Sequence, residues 1–200
     1  MTEKVAIANM ALNWLGEGLI TSLEDDSDAA RTMKLNYIPA RDATLEAHEW
    51  SFAIKRFIPG KLAEKPAYGV SYAFGVPSDI LRVISVDPNQ GDASTPWREP
   101  IGSAEQLDWI MEGGHILCDE DVIYCRGIRR VEEEGEFSPL FDHALAAKLA
   151  MLSAVALTAS AEIQANMIVL YDQFIREAKS RDGLQGRSRR IRARTLNKVR

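Results

Sequence analysis

Sulfur chemistry is nearly absent from this chain. Its 200 residues hold two cysteines, Cys118 and Cys125. Two thiols make no disulfide framework, and a zinc site would want close cysteine pairs or helper histidines, which are missing. Both read as small hydrophobes on or beside strands. Histidine is as scarce: His48, His115 and His143 are the three, and no two stand at ligand spacing. Gly-rich phosphate loops, nucleophile elbows and metalloprotease helices are missing too. The sequence therefore nominates no catalytic residue, and neither cofactor nor metal is expected. Lys148 is a lone charge among large apolar neighbours, with no partner that would make it a nucleophile. A snorkelling stem or half of a buried ion pair suits it better. Charges break the apolar runs before they reach membrane length, so no membrane contact is expected. The start, MTEKVAIANMALNWLGEG, lacks the basic opening of a signal peptide, and the chain is expected to stay where it is made.

Proline and glycine are both absent from residues 140–182. That stretch reads as two helices. It is introduced by Ser138-Pro139, a capping hydroxyl followed by a residue with no amide to leave free, and Asp142 suits the positive helix end. Thr158-Ala159-Ser160 reads as a seam, with Ser160 capping the second helix. In the first helix Leu140, Phe141, Leu145, Leu149, Met151, Leu152 and Val155 cover one broad face. Ala146, Ala147, Ala150 and Ala154 cover the other. A helix apolar on both faces is buried on both. Alanines let another backbone come close, which makes these four candidates for subunit packing. The second helix is amphipathic, its stripe running through Ile163, Met167, Leu170, Tyr171, Phe174, Ile175 and Ala178.

The first fifty residues supply two more helices. Thr2 can cap the first, which runs to Leu15 and stops at Gly16 and Gly18. Its polar strip is only Asn9 and Asn13. It is therefore central in a bundle or meets another chain, and Trp14 is a further subunit-packing candidate. The second starts with Asp26 or Ser27 as cap and continues to about Trp50, with a kink or short break at Pro39. From Ser51 the texture turns to β. Strands are expected near Phe52–Ile58, Tyr72–Phe74, Leu81–Val86 and Val122–Val131. Leu107–Met111 and His115–Cys118 form a hairpin across Gly113-Gly114, and loops lie between. Glu132-Glu133-Glu134 reads as a solvated connector and Glu24-Asp25-Asp26 as an acidic helix start. The expected class is α+β. A helical bundle is made by 1–50 and 138–180, a small antiparallel β subdomain is inserted at 51–137, and an extended basic arm occupies 181–200.

The net charge of −5 hides a division. Residues 181–200 carry eight basic side chains against Asp182, a net +7, which leaves −12 on residues 1–180. An acidic body with a basic tail speaks of partners, not of fold. In the arm Leu184, Ile191, Leu196 and Val199 recur among Arg187, Arg189, Arg190, Arg192, Arg194, Lys198 and Arg200. Apolar anchors between cations suit a segment that orders on a protein partner, with guanidinium forks pairing carboxylates there. The alternative is a nucleic-acid-binding protein using the same arm. Against it, the arm lacks interleaved aromatics and the body has the wrong sign.

The stretch ALNWLGEGLITSLEDDSDAARTMKLNYIPARDATLEAHEWSFA resembles the opening of the tail tubular protein A family. Its pieces are Leu15-Gly16-Glu17, the acidic loop Ser22 to Asp28, and Trp50-Ser51-Phe52. Later pieces follow in the same order. They are Tyr72 to Asp79 with Leu81-Arg82-Val83, Glu112-Gly113-Gly114, Phe137 to Phe141, and the Ala-rich helix up to Ser160. The resemblance spans about residues 6–180 and leaves the arm unmatched. It implies a structural virion protein, not an enzyme: the head-to-tail adaptor of short-tailed bacteriophages. Such adaptors form a ring of twelve copies below the portal protein and hold the tail nozzle, a tail tubular protein B-like partner. Genomic DNA leaves through their channel without sequence-specific binding. An acidic body fits that channel, since phosphates are repelled rather than held. The arm is expected to dock on the portal.

Overall fold

The computed structural model describes residues 3–88 and 107–184. Two helices open the chain, α1 (Glu3–Leu15) and α2 (Asp28–Glu46), and two close it, α3 (Pro139–Thr158) and α4 (Ala161–Gly183). Between them come β1 (Ile54–Phe57), β2 (Gly60–Lys61), β3 (Tyr72–Gly75), β4 (Ile80–Asp87), β5 (Ile110–Glu112), β6 (His115–Cys118), β7 (Tyr124–Arg129) and a 3-10 turn at Glu134–Glu136. The chain is α+β, with two antiparallel sheets ordered β1-β7-β4 and β2-β3-β6-β5.

The signals around α3 operate as read. Ser138 accepts from the Phe141 amide at 3.2 Å, and Pro139 takes the first helical position. Ala159 stops the helix in the left-handed region at φ 50, and Ser160 accepts from the Ile163 amide at 3.3 Å to start α4. Because α3 is apolar all round, α1, α2 and α4 all pack against it. By length and composition it is apolar enough to cross a membrane, contrary to the sequence reading, but half of that segment is buried inside the chain's own fold. Its alanines need a different account. Ala146, Ala147, Ala150 and Ala154 are fully buried within the chain. The chain's own fold covers them, so no neighbouring subunit can reach them.

In α1 the two residues of the polar strip part ways, Asn13 being exposed while Asn9 turns inward. Asn9 is buried; its amide donates to the Ile20 carbonyl and its oxygen accepts from the Ile20 amide, both at 2.9 Å. The loop at Ile20 therefore covers that side at Asn9 and leaves it open at Asn13. Gly16, at φ 75, makes the turn after the helix. Thr2 lies outside the described residues. Ser27, not Asp26, caps α2, accepting from the Ala30 amide at 3.1 Å. The helix ends at Glu46, earlier than expected, because Trp50 folds back into the core and its indole donates to the Thr44 carbonyl at 2.9 Å. Pro39 stays inside an unbroken helix. It lies on the exposed side, where water can serve the carbonyl of Leu35 that loses its donor.

The β segment is thinner than its sequence reading. β5 and β7 are shorter than expected, and β2, read as loop, pairs with β3. Gly113 and Gly114, at φ 55 and 79, make the β5–β6 turn. The sheet β1-β7-β4 is shared between two cores. Ile54, Leu81, Ile84 and Ile128 pack into the core under the helices. Phe57, Val83, Val86 and Cys125 join Phe74, Ile116, Cys118 and Ile123 in a smaller core between the sheets. The segment is thus inserted in sequence but not separate in packing. Both cysteines are buried, and burial pushes the Cys125 thiol up to about 12, which suits packing rather than reactivity.

Trp50, Phe52, Phe137 and Phe141 join the helices to the strands. Phe141 sits 4.7 Å from Phe137, 5.2 Å from Phe52 and 5.1 Å from Trp50, ring centre to ring centre. At the far end of α4 the Asp182 carboxylate accepts from the Ser51 amide at 3.1 Å and hydroxyl at 2.7 Å, with His48 Nε2 at 3.4 Å.

Candidate assembly surface

Exposed apolar side chains occur in the loops and strands, among them Leu19, Ile58, Tyr68 and Met111, and on three helices. Leu35 and Ile38 on α2, Leu152 and Val155 on α3, and Ile168 and Val169 on α4 are all exposed, Leu35 by 76% and Val169 by 65%. Periodicity explains how they arise. On α2 the stripe Met33, Tyr37 and Ala40 faces the core, and Leu35 and Ile38 fall off it. Residues 36 and 153 fix the geometry: the Asn36 amide donates to the Ser153 hydroxyl at 3.1 Å, between Leu35 and Leu152. Lys148 fixes the pairing of α3 with α4, its ammonium lying 4.8 Å over the Tyr171 ring. One turn on, Leu152 comes beside the turn carrying Ile168. The six side chains therefore lie on the solvent-facing sides of α2, α3 and α4, with Val169 two residues from Tyr171 and so turned away from α3. Lys148 is held by an aromatic face, where the sequence suggested a snorkelling stem or a buried ion pair.

Trp14, named with the alanines for subunit packing, is half-buried. It stacks on Phe174 at 5.5 Å and lies 6.5 Å from His143, which ties α1 to α4 and α3 within the chain. Of the docking-arm residues, Leu184 caps α4 and is 72% exposed. Arg187, Arg189, Arg190, Ile191, Arg192, Arg194, Leu196, Lys198 and Arg200 lie outside the described residues.

The acidic clusters are internal fittings. Asp25 accepts from the Thr21 and Ser22 amides at 2.7 and 3.1 Å, bonds that hold its carboxyl below the usual range. Asp26 and Asp28 pair with Arg31 at 2.5 and 2.8 Å. Glu134 is not solvated, as the connector reading held. It is buried, accepts from the Tyr37 hydroxyl at 3.1 Å and stands 3.6 Å from the Lys4 ammonium. Beside it, burial and the charges of Glu3 and Glu134 push the Asp142 carboxyl up to about 6. A cleft of about 530 Å³ opens over Glu3, Lys4, Glu133 and Glu134, and its acidic walls would repel anions. Among the described residues no group of three or more His, Cys, Asp or Glu side chains could hold a metal ion.

No family model and no curated protein matches the chain.

Proposed function

We propose that this chain is the head-to-tail adaptor of a short-tailed bacteriophage. In this reading the four helices form a bundle, the strands are an inserted unit, and the basic arm is residues 184–200, since 181–183, expected in the arm, belong to α4. Twelve copies ring the DNA exit channel in the virion, with the portal above and the tail nozzle below. The role is structural, with no substrate.

The observation that carries the reading is the exposure of Leu35, Ile38, Leu152, Val155, Ile168 and Val169 on three helices of an acidic body. Apolar side chains that the chain's own core leaves uncovered suit a lateral, head-to-tail contact, the kind that closes into a ring. The pieces that resemble tail tubular protein A give that assembly its identity. Several fall where the chain fixes its turns, caps and core: Gly16, Trp50, Gly113-Gly114 and Ser138-Pro139. The free protein is expected to be monomeric or weakly associated, because bodies of net charge −12 repel at low salt and ring growth needs the portal as template.

Mixing with portal rings, followed by electron microscopy, tests the reading. Wild-type protein should add a second ring to the portal. A Leu152→Asp, Val155→Asp double variant should fold but add none. A chain ending at Asp182 should fold and attach far more weakly, if the arm is the portal clamp. Portals left bare by the full-length wild type would overturn the assignment.

A further inference from the structure

The sheet β1-β7-β4 sets two arginines opposite one another. Arg56 on β1 pairs with Arg126 on β7, and Arg126 pairs with Ser85 on β4. Residues paired across an antiparallel ladder share a face. Arg56, Arg126 and Ser85 thus form one row across all three strands. The adjacent pair on that face, Ile54 and Ile128, packs under the helices. Arg126, one step out, is half-buried, and Arg56 is exposed.

Three other cations at these strands have acids, while Arg82 on β4, opposite Ile128, has none among the described residues. Lys55 meets Asp79, Arg129 meets Glu136, and Arg130, just past β7, meets Asp42. Among the described residues Arg56 and Arg126 enter no ion pair, and neither does Asp87, two pairs further along opposite Tyr124. Like charges directly opposite each other destabilise a sheet. Two polar atoms of the row are also sealed from solvent with no hydrogen-bond partner, Ser85 Oγ and Arg126 Nε. Ser85 is only 7% exposed. Orphaned buried donors are costly.

One kind of ligand would relieve the like-charge repulsion, and would relieve the two orphaned atoms as well once the half-buried Arg126 side chain swings out to uncover them. It must accept several hydrogen bonds and bring about two negative charges to match two guanidinium groups. A carboxylate brings one. Inorganic phosphate or a phosphate monoester brings roughly −1.5 to −2 near neutral pH, with oxygens enough for both forks and a hydroxyl. We propose that the Arg56–Arg126–Ser85 row binds a phosphate group. The body's acidity makes such a site selective by position, since the rest of the surface repels the same ion.

The test follows the backbone amide signals of Arg126 and Gly127 in the isotope-labelled full chain at fixed ionic strength. Titrated inorganic phosphate should shift them saturably, and acetate should bind at least tenfold more weakly. Arg56→Gln, a surface change that leaves folding intact, should weaken phosphate binding by roughly tenfold. Ser85→Ala should weaken it as well. A short DNA duplex then identifies the source. Competition at these amides assigns the phosphate to a nucleic-acid backbone; duplex binding that leaves them in place assigns it to free phosphate or a small monoester. The absence of a saturable shift with phosphate, or equal affinity in Arg56→Gln and wild type, would overturn the proposal.

Discussion

Two cores of unequal depth hold this chain. The one under the helices takes side chains from all four helices, from β1, β4 and β7, and from Phe52 and Phe137 at the ends of the β segment. The one between the sheets closes on six buried residues, two of them thiols. The larger core can lose shape in one place and keep its neighbours, because many rings and aliphatic chains overlap there. The smaller has few side chains to lose and relies on backbones lying close. Gly127 carries that closeness. A Cβ there would stand 2.8 Å from Ile80 Cγ2 and 2.9 Å from the Arg82 carbonyl oxygen, so β7 can meet β4 only through glycine. The lesson is that a sheet shared by two cores couples them, yet the two should fail differently.

The strongest way to break the contrast is Phe141→Ala. It empties the ring cluster of Trp50, Phe52 and Phe137, and about 3–5 kcal/mol of stability should go. Since β1 and β7 lean on that cluster, helix and sheet signals should melt together in a thermal scan. Gly127→Ala should cost less, about 1–3 kcal/mol, through overpacking against a carbonyl that cannot move away. Hydrogen exchange should show amides of β4 and β7 losing protection while those of α3 keep it. Equal loss in α3 would mean that the smaller core is no separate unit of stability.

A gentler change separates the acidic junction of the helices from both cores. Asp142 has its folded pKa raised to about 6 from an ordinary 3.8. The folded chain therefore holds that proton more tightly than the unfolded chain. Stability should rise as pH falls from 7 towards 4, against the usual trend for carboxylates. The gain is about 1–2 kcal/mol, less than the full shift implies, because the carboxyl is partly exposed to solvent. Asp142→Asn should match the low-pH stability at pH 7 and flatten the profile across this window. A wild-type melting temperature that falls steadily from pH 7 to 5 would refute this. The smallest effect belongs to the surface. Leu152→Ser should change stability by no more than about 0.5 kcal/mol. Its expected consequence is in portal mixing, where rings should become sparse.

Much of the helical part was legible in the sequence because its signals are local. Ser138-Pro139, Ser27 and the Thr158–Ser160 seam each state a cap within a few residues. The end of α2 was not, because Trp50 is drawn in by the core and by the Thr44 carbonyl. Burial of the alanine face was legible, but its neighbour was not: 3.6-residue periodicity says that a face is covered and is silent about by whom. The charged row was hidden for another reason. Arg56, Ser85 and Arg126 are far apart in sequence, and β4 slips register between Ile80 and Arg82 and again between Val83 and Ser85. Alternation alone cannot count through a bulge. Glu134 was missed because three glutamates in a row look solvated, yet only the last of them turns under Tyr37.

The bonds from Asp182 to Ser51 have a mechanical consequence. A tug on the C-terminal end of α4 does not meet a free helix end that can unwind turn by turn. It meets a carboxylate gripped by a backbone amide and a hydroxyl, one residue from the buried Trp50. The load passes at that point from α4 into the indole and the rings around Phe141. Ser51→Ala and Asp182→Ala variants, pulled from the C-terminus in a force spectrometer, should yield by peeling α4 at lower force.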